Sequence, residues 1–305
     1  MNDTADLGPV PQRIVVEAEQ VRSLVRQQFP QWAGLPVQPV ANGGWDNWTF
    51  RLGAGMLVRL PSAAEYALAV GKERRWLPAL APQLPLPIPV PLAKGEPGAG
   101  YPYAWSVFQW LDGEPASADR IADPVRFATD LAGFLTALRS IDPTGGPRPG
   151  KHNWFRGGTL RTYDAQVQEA LAQLDGRIDT GLAREIWQGA LDARGDGVEA
   201  WFHGDVAEGN LLLSEGQLTA VIDFGTCGVG DPACDLAIAW TLLTAEGRQA
   251  FRERLAVGPA EWARGRGWAL WKTLVAYAYA LGDEKQATSA RHVLSEILSE
   301  YARIA

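Results

Sequence analysis

The chain has 305 residues, of which 47% are hydrophobic and 21% charged, with 13 Trp and a formal net charge of −7 at pH 7. This is the balance of a folded protein with material for two lobes; it excludes wholesale disorder and counts against a nucleic-acid partner, whose phosphates call for a basic face. No apolar run approaches the roughly 20 residues of a membrane span, and the N-terminus Met-Asn-Asp-Thr-Ala-Asp lacks the basic start and apolar core of a signal peptide. Cys227 and Cys234 are the only cysteines, too few for a disulfide framework and without the Cys/His company of a zinc site. The expectation is a soluble cytoplasmic protein with reduced thiols.

Residues 13–29 read as a helix, followed by strand-like runs at 36–40, 48–52 and 56–60 separated by Gly-bearing turns. A helix over 63–80, a Pro-punctuated stretch over 82–91 and a strand-like run over 103–111 complete a small α+β lobe. From 112 onward the pattern becomes helical. Phe127, Leu131, Phe134, Leu135 and Leu138 recur on one helical face, helices are predicted over 160–174 and 182–193, and strands resume near Trp201. Two further stripes close the chain, Trp271, Leu274, Val275, Ala278 and Leu281, then Leu294, Ile297, Leu298 and Tyr301. The fold class expected is α+β and bilobal, with residues 1–111 as a small lobe of antiparallel sheet plus helix and 112–305 as a larger, mainly helical lobe.

The chemistry concentrates between Phe202 and Ala237. In His203-Gly204-Asp205-Val206-Ala207-Glu208-Gly209-Asn210, an Asp is followed five places later by an Asn, the spacing of a kinase catalytic loop. Phosphoryl transfer requires a carboxylate to orient the attacking hydroxyl and oxygen ligands to hold magnesium on the phosphates, and Asp205 and Asn210 are residues of those types. Val221-Ile222-Asp223-Phe224-Gly225 supplies a further ligand. If 214–217 form a turn, Leu213 faces Leu218 and Asn210 faces Val221, which sets Asn210 diagonal to Asp223 on one face, roughly 7–8 Å apart at the backbone. A slip of one residue would separate them. Singly, each is a common loop residue; their order and spacing together point to phosphoryl transfer. Asp231 before Pro232 reads as a helix N-cap, Asp235 as a brace for the catalytic loop or a partner of the helix dipole, and His203 as a positioning residue.

The blocks H-G-D-V-A-E-G-N, V-I-D-F-G and G-D-P-A-C-D-L-A, in this order, resemble the aminoglycoside phosphotransferase family, a kinase-like family that includes choline, homoserine, methylthioribose and fructosamine kinases. The resemblance covers most of the chain and implies a bilobal kinase-like fold, ATP and Mg2+ as cofactors, and a small-molecule hydroxyl acceptor. By it Asp205 is the catalytic base or hydroxyl-orienting residue, Asn210 and Asp223 are magnesium ligands, and Asp235 is structural support, with His203 and Asp231 beside it. In the small lobe it implies that Gly43 and Gly44, within Asn42-Gly43-Gly44-Trp45-Asp46-Asn47, form the nucleotide-covering turn. Arg59 stands where the family's phosphate-binding lysine would, Glu73 is its ion-pair partner, and 108–111, with Phe108 and Trp110, form the adenine-binding hinge. Arginine keeps the charge and binds phosphate bidentately.

Residues 151–163, with His152, Trp154, Arg156 and Tyr163, and the region 262–284 are the expected acceptor-lining segments. The first is basic and aromatic, unlike a pocket for a polycation, and no antibiotic acceptor is assigned. The alternatives are a protein kinase, disfavoured by the short stretch between Gly225 and Asp231 and the lack of an A-P-E block, and a nucleotide-binding module without catalysis.

Overall fold

The computed structural model describes residues 7–41, 44–195 and 197–303. Helix α1 (Ala18–Gln28) is followed by β1 (Val37–Pro39), β2 (Asn47–Leu52), β3 (Met56–Pro61), α2 (Ala64–Leu80), β4 (Pro91–Gly95) and β5 (Trp105–Gln109). These strands form one antiparallel sheet in the order β1-β2-β3-β5-β4, with α2 crossing from β3 to the edge strand β4. Alternation along β2 and β3 buries Phe50, Leu52, Val58 and Leu60 on one face, where α1 adds Val21, Leu24 and Val25 and the start of β5 and the segment before it add Trp105 and Tyr101.

The first helix begins later than the pattern predicts. Residues 13–17 run extended, with Ile14 N–H donating to Ser62 O at 2.8 Å. The β-branched run Ile14-Val15-Val16 favours that conformation, and Arg13 secures it by donating to Ser62 Oγ at 3.2 Å and lying 4.5 Å from the Trp45 ring. The chain before it, Leu7 to Pro11, passes along the cleft described below.

The second part contains β6 (Glu114–Pro115), α3 (Pro124–Arg139), α4 (Asp164–Gln173), α5 (Thr180–Asp192), β7 (Ala200–Phe202), β8 (Leu211–Ser214), β9 (Gln217–Val221), β10 (Gly228–Gly230), α6 (Ile238–Thr241), α7 (Ala245–Leu255), α8 (Pro259–Tyr279) and α9 (Glu284–Ala302). Four of its helices start where side chains cap them: Asp123 accepts from Val125 N and Arg126 N, Asp179 from Leu182 N, Thr244 from Gly247 N, and Asp283 from Lys285 N and Gln286 N. The core of this part reaches back to Leu77, Leu80, Ile88 and Phe108, so apolar packing continues across the junction with the sheet.

Helix α8 is not the one-striped helix that the sequence suggests. Trp262, Trp268, Ala269, Leu270, Trp271, Thr273, Leu274 and Tyr277 are all buried, while Leu281 falls beyond its end and is exposed. A helix covered on several sides is a central element, here packed by α4, α5, α9 and the segment Pro232–Ala237. Two glycines permit the approach: a Cβ on Gly265 would lie 2.5 Å from Leu236 Cβ, and one on Gly267 would lie 2.6 Å from Ala190 Cβ.

This geometry predicts opposite outcomes for two Gly→Ala changes. In a helix interior alanine is favoured over glycine by about 1 kcal/mol. At Gly189, in α5, a Cβ meets nothing within 4 Å, and Gly189→Ala is expected to raise the midpoint of thermal unfolding. At Gly265 the clash outweighs that gain by about 1–3 kcal/mol, and Gly265→Ala is expected to lower it.

Candidate active site

The catalytic-loop motif follows β7 and turns at Gly204, whose φ is 85° and whose Cβ, were there one, would lie 2.7 Å from Thr226 O. Only glycine fits such a left-handed, closely approached position. Asp235, fully buried, accepts from His203 N at 2.8 Å and from Gly204 N at 2.7 Å. Burial pushes the Asp235 carboxyl above its ordinary range, and the field of His203 and the two amide bonds hold it back. The His203 ring lies between Asp205 N, 3.2 Å from Nδ1, and Ile222 O, 2.9 Å from Nε2. These partners assign the proton to Nε2 and make the ring a strut between the two motif-bearing loops. Asp231 caps the following turn through Ala233 N and forms a two-pronged ion pair with Arg264 of α8, at 2.6 and 3.1 Å.

The hairpin that joins the loops differs from its predicted register. Leu213 faces Leu218, but an extra residue, Thr219, bulges from β9, so Leu212 faces Ala220 and Leu211 faces Val221. Asn210 therefore lies opposite Ile222, whose N–H donates to Asn210 O at 2.8 Å, rather than opposite Val221. By strand alternation alone this would set Asn210 and Asp223 on opposite faces. Both have left the strands, however: Asn210 closes the 3-10 turn Glu208–Asn210 and Asp223 takes a left-handed conformation with φ 65°. The convergence runs through Asp205, since Asn210 Nδ2 donates to Asp205 O at 2.9 Å and Oδ2 at 3.2 Å, and Asp205 and Asp223 line the same cleft.

From the sheet, β3 brings Arg59 to this cleft. Its guanidinium bridges Glu73 on α2, at 3.3 Å, and Asp223, at 2.6 Å. Glu73 is 6% exposed, so it meets Arg59 out of bulk water. The neighbouring Lys72 is buried too and donates to Gly225 O at 2.6 Å and Cys227 O at 2.9 Å, tying α2 directly to the Asp-Phe-Gly loop. Burial pushes the Lys72 ammonium below its ordinary range.

Gly44 stands over the site: a Cβ on it would be 3.9 Å from Asp223 Oδ2. Gly43 lies outside the described residues. Phe108 and Trp110 do not line the cleft of Asp205 and Asp223. The Phe108 ring is buried in the core, and the Trp110 ring lies beneath Arg51, 3.9 Å from its guanidinium, with Nε1 donating to Asp112 at 2.8 Å. The Trp110 backbone N–H is also engaged, by Gly55 O at 2.9 Å. β5 is buried from Trp105 to Phe108, which sets the Phe108 ring in the core with its centroid 6.0 Å from the Arg59 guanidinium carbon, while Trp110 lies beyond the strand's end.

Three site residues escaped the sequence reading. Lys272 of α8 donates to Asp205 Oδ1 at 2.5 Å. Burial opposes ionisation of Asp205, but the Lys272 ammonium overrides it and, with Arg156 and His203, holds the carboxyl well below the usual carboxylate range. The available signal was a single cation within the apolar run 268–280. Asp46, in the turn before β2, lines the cleft with Asp205 and Asp223. Burial and the nearby Asp223 push its carboxyl up to about 6, against the pull of Arg59. Lys72 was legible only as part of a charged run.

The donor chemistry suits magnesium. Asp223 offers a carboxylate, and Asn210, whose Nδ2 is committed to Asp205, keeps Oδ1 free of hydrogen bonds among the described residues. These are hard oxygen ligands, and magnesium on a nucleotide takes one or two carboxylates beside phosphate oxygens rather than a protein cage. Among the described residues no cluster of three or more His, Cys, Asp or Glu could hold a metal unaided, in keeping with that mode.

On the far side of Asp205 a cavity of about 320 Å³ is lined by Asp46, Tyr66, Trp154, Arg156, Tyr163, Gln166, Thr226 and Trp271, with Leu7 to Pro11 along its rim. That volume suits a small molecule. Both predicted acceptor segments contribute to it, 151–163 through Trp154, Arg156 and Tyr163 and 262–284 through Trp271. Asp283 caps α9 and Glu284 pairs with Arg291, so neither faces the cavity.

Solved structures share this architecture. The GDP complex of wild-type aminoglycoside 2'-phosphotransferase-IIIa matches with a TM-score of 0.72 at 17% identity, covering 94% of this chain and 100% of that one. The streptomycin–ATP ternary complex of APH(2'')-IIa matches with a TM-score of 0.60 at 16% identity, covering 94% and 97%. The apoenzyme of macrolide 2'-phosphotransferase MphH from Brachybacterium faecium matches with a TM-score of 0.59 at 20% identity, covering 92% and 97%. Such identities establish the shared kinase-like fold, and no curated protein matches the sequence. A model of the phosphotransferase enzyme family matches residues 37–268, from β1 to the middle of α8 with every motif above inside it, and the chain belongs to that family.

Proposed function

We propose that the protein transfers the γ-phosphoryl group of ATP to a hydroxyl of a small molecule. The observation that carries this reading is the convergence of Asp205, Asn210, Asp223 and Arg59 on one cleft with a small-molecule cavity beside Asp205. Residues 1–111 serve as the nucleotide-binding lobe and 112–305 as the catalytic and acceptor-binding lobe. Gly43 and Gly44 cover the phosphates, Arg59 binds them, and the nucleobase edge is met by the chain after β5, where the Leu111 N–H has no backbone acceptor among the described residues. The similar structures include GDP, ADP and ATP complexes, and ATP is the nucleotide we assign.

In the transfer, the acceptor oxygen bonds to the γ-phosphorus as the bond from that phosphorus to the β,γ-bridging oxygen breaks, and the bridging electron pair leaves on ADP. The hydroxyl proton is accepted by Asp205 and released to water. Because Lys272 keeps Asp205 ionised, the carboxylate is a weak base whose main work is to orient the hydroxyl, which suffices for a loose phosphoryl transition state. Magnesium, held by Asp223 and Asn210, would supply neutralisation of phosphate charge. Arg59 is anchored on Glu73 and can turn from Asp223 toward the phosphates without leaving α2.

Magnesium-dependent ADP release, measured with ATP and with GTP across aminoglycosides, macrolides, sugars, hydroxy acids and amino alcohols, is expected to be stimulated by one acceptor class. Asp205→Asn should lower the stimulated kcat by about 10²–10⁴-fold while leaving affinity for an ATP analogue in place. Unstimulated release in both proteins, with unchanged nucleotide binding, would instead support a binding module without catalysis.

Removing the ammonium beside Asp205 raises that group's pKa. Wild-type kcat should therefore show no acid limb from Asp205 at mildly acidic pH, whereas Lys272→Met should bring one upward into the measured profile; an unmoved limb refutes the pairing.

Asp46 has the opposite sign. Its folded-state pKa is about 6 against an ordinary 3.8, so its contribution to stability is intact below the lower value and lost as pH rises through the higher. Asp46→Asn should raise the unfolding midpoint at pH 7.5 and have a much smaller effect near pH 4, as followed by calorimetry.

A further inference from the structure

The cavity beside Asp205 is built for a charge opposite to that of a polyamine. Arg156, in the loop after the turn Lys151–Asn153, has its guanidinium carbon 4.4 Å from the centroid of the Trp271 ring, 5.5 Å from Tyr163 and 5.6 Å from Trp268. Nη1 donates to Tyr163 Oη at 3.1 Å, and that hydroxyl in turn donates to Trp154 O. No carboxylate lies within ion-pair distance of Arg156 among the described residues, Nη2 has no acceptor there, and Nε is buried without one. A guanidinium packed against this ring cluster keeps its in-plane N–H edge for further bonds, and a buried donor left unmet costs about 1–3 kcal/mol.

The carboxylates of the cavity are Asp46 and Asp205. Asp205 is already paired with Lys272, so the two cations flank the position where an acceptor hydroxyl must sit. A polyamine entering there would place ammonium groups against Arg156 and Lys272 in a half-buried space, where like charges repel more strongly than in water. A planar oxyanion on Arg156 would satisfy its open edge with two charge-assisted bonds, while Tyr66, Trp154 and Trp271 offer flat walls to the rest of the molecule.

We infer that the acceptor carries an anionic group, a carboxylate or a phosphate, that seats on the in-plane edge of Arg156 and brings a neighbouring hydroxyl to Asp205. This rests on the phosphotransferase reading above. Arg156 is a specificity-determining residue, positioned by the ring cluster it packs against and by its bond to Tyr163.

The test is calorimetric titration of the full chain, saturated with magnesium and a non-hydrolysable ATP analogue. The probes are mandelate, 3-phenyllactate and gluconate, each against its neutral amide; glycerol 3-phosphate against glycerol; and kanamycin as the polycation. At least one anion is expected to bind ten-fold or more tightly than its neutral partner, the carboxylate and phosphate arms showing which oxyanion is preferred. Arg156→Gln should erase that difference and Arg156→Lys restore part of it, with circular dichroism checking each fold. Equal binding of anions and neutral partners, preference for kanamycin, absence of saturable anion binding, or a preference untouched by Arg156→Gln overturns the inference. Failure of the phosphotransferase reading would look different: anion binding that depends on Arg156 with no ADP release on any acceptor.

Discussion

The site depends first on one buried carboxyl group. Asp235 has no ion-pair partner among the described residues and meets the amide hydrogens of His203 and Gly204 instead. A carboxyl taken fully out of water is tolerated only where such bonds replace its hydration, so the turn of the catalytic loop and the segment Pro232–Ala237 are fixed to one another. That turn in turn requires Gly204, and it sets the His203 ring against Ile222 O and Asp205 N. The rigid loop therefore owes its shape to groups that never meet the substrate.

A second constraint joins the sheet to this loop. Adjacent residues of α2 reach it by different routes, Lys72 through the carbonyls of Gly225 and Cys227, and Glu73 through Arg59 to Asp223. The Lys72 ammonium donates only to backbone carbonyls and does not compete with a nucleotide. On the function proposed above the Arg59–Asp223 bond does compete, since both partners would then serve phosphate and metal. The helix thus holds the two parts together by one permanent connection and one exchangeable one, which lets Arg59 change partners without loosening α2.

Much of this was legible in the sequence because it is local. The strand-helix-strand order of the sheet, the cap at Asp231, and the motif blocks around Asp205, Asn210 and Asp223 all depend on short-range spacing. The misses have equally physical causes. A single bulged residue, Thr219, undid the register reading because side-chain alternation has a period of two and tolerates no extra residue. The start of α1 was read too early because Ile14 is held by Ser62, 48 positions onward, a partner that no local pattern reveals. Lys272 meets Asp205 across a separation of 67 residues, which only the packing of α8 creates.

That last contact alters how the acceptor is met. A catalytic carboxylate facing an open cavity would by itself attract cations, and further carboxylates would strengthen the attraction. Here Lys272 neutralises Asp205 from behind while leaving its carboxylate partly exposed, and Arg156 adds an uncompensated positive charge at the cavity wall. Asp46, pushed up to about 6, is still largely ionised at pH 7, so Asp46 and Asp205 are offset by Arg156 and Lys272 and the charge beside Asp205 is close to balanced, although the chain as a whole carries −7. Net charge averages over a surface of 14465 Å², whereas an acceptor meets only a few groups at short range in reduced dielectric, where each counts for more than in bulk water. The overall acidity of the chain therefore says little about the charge next to Asp205, which two cations from segments 116 residues apart bring close to balance.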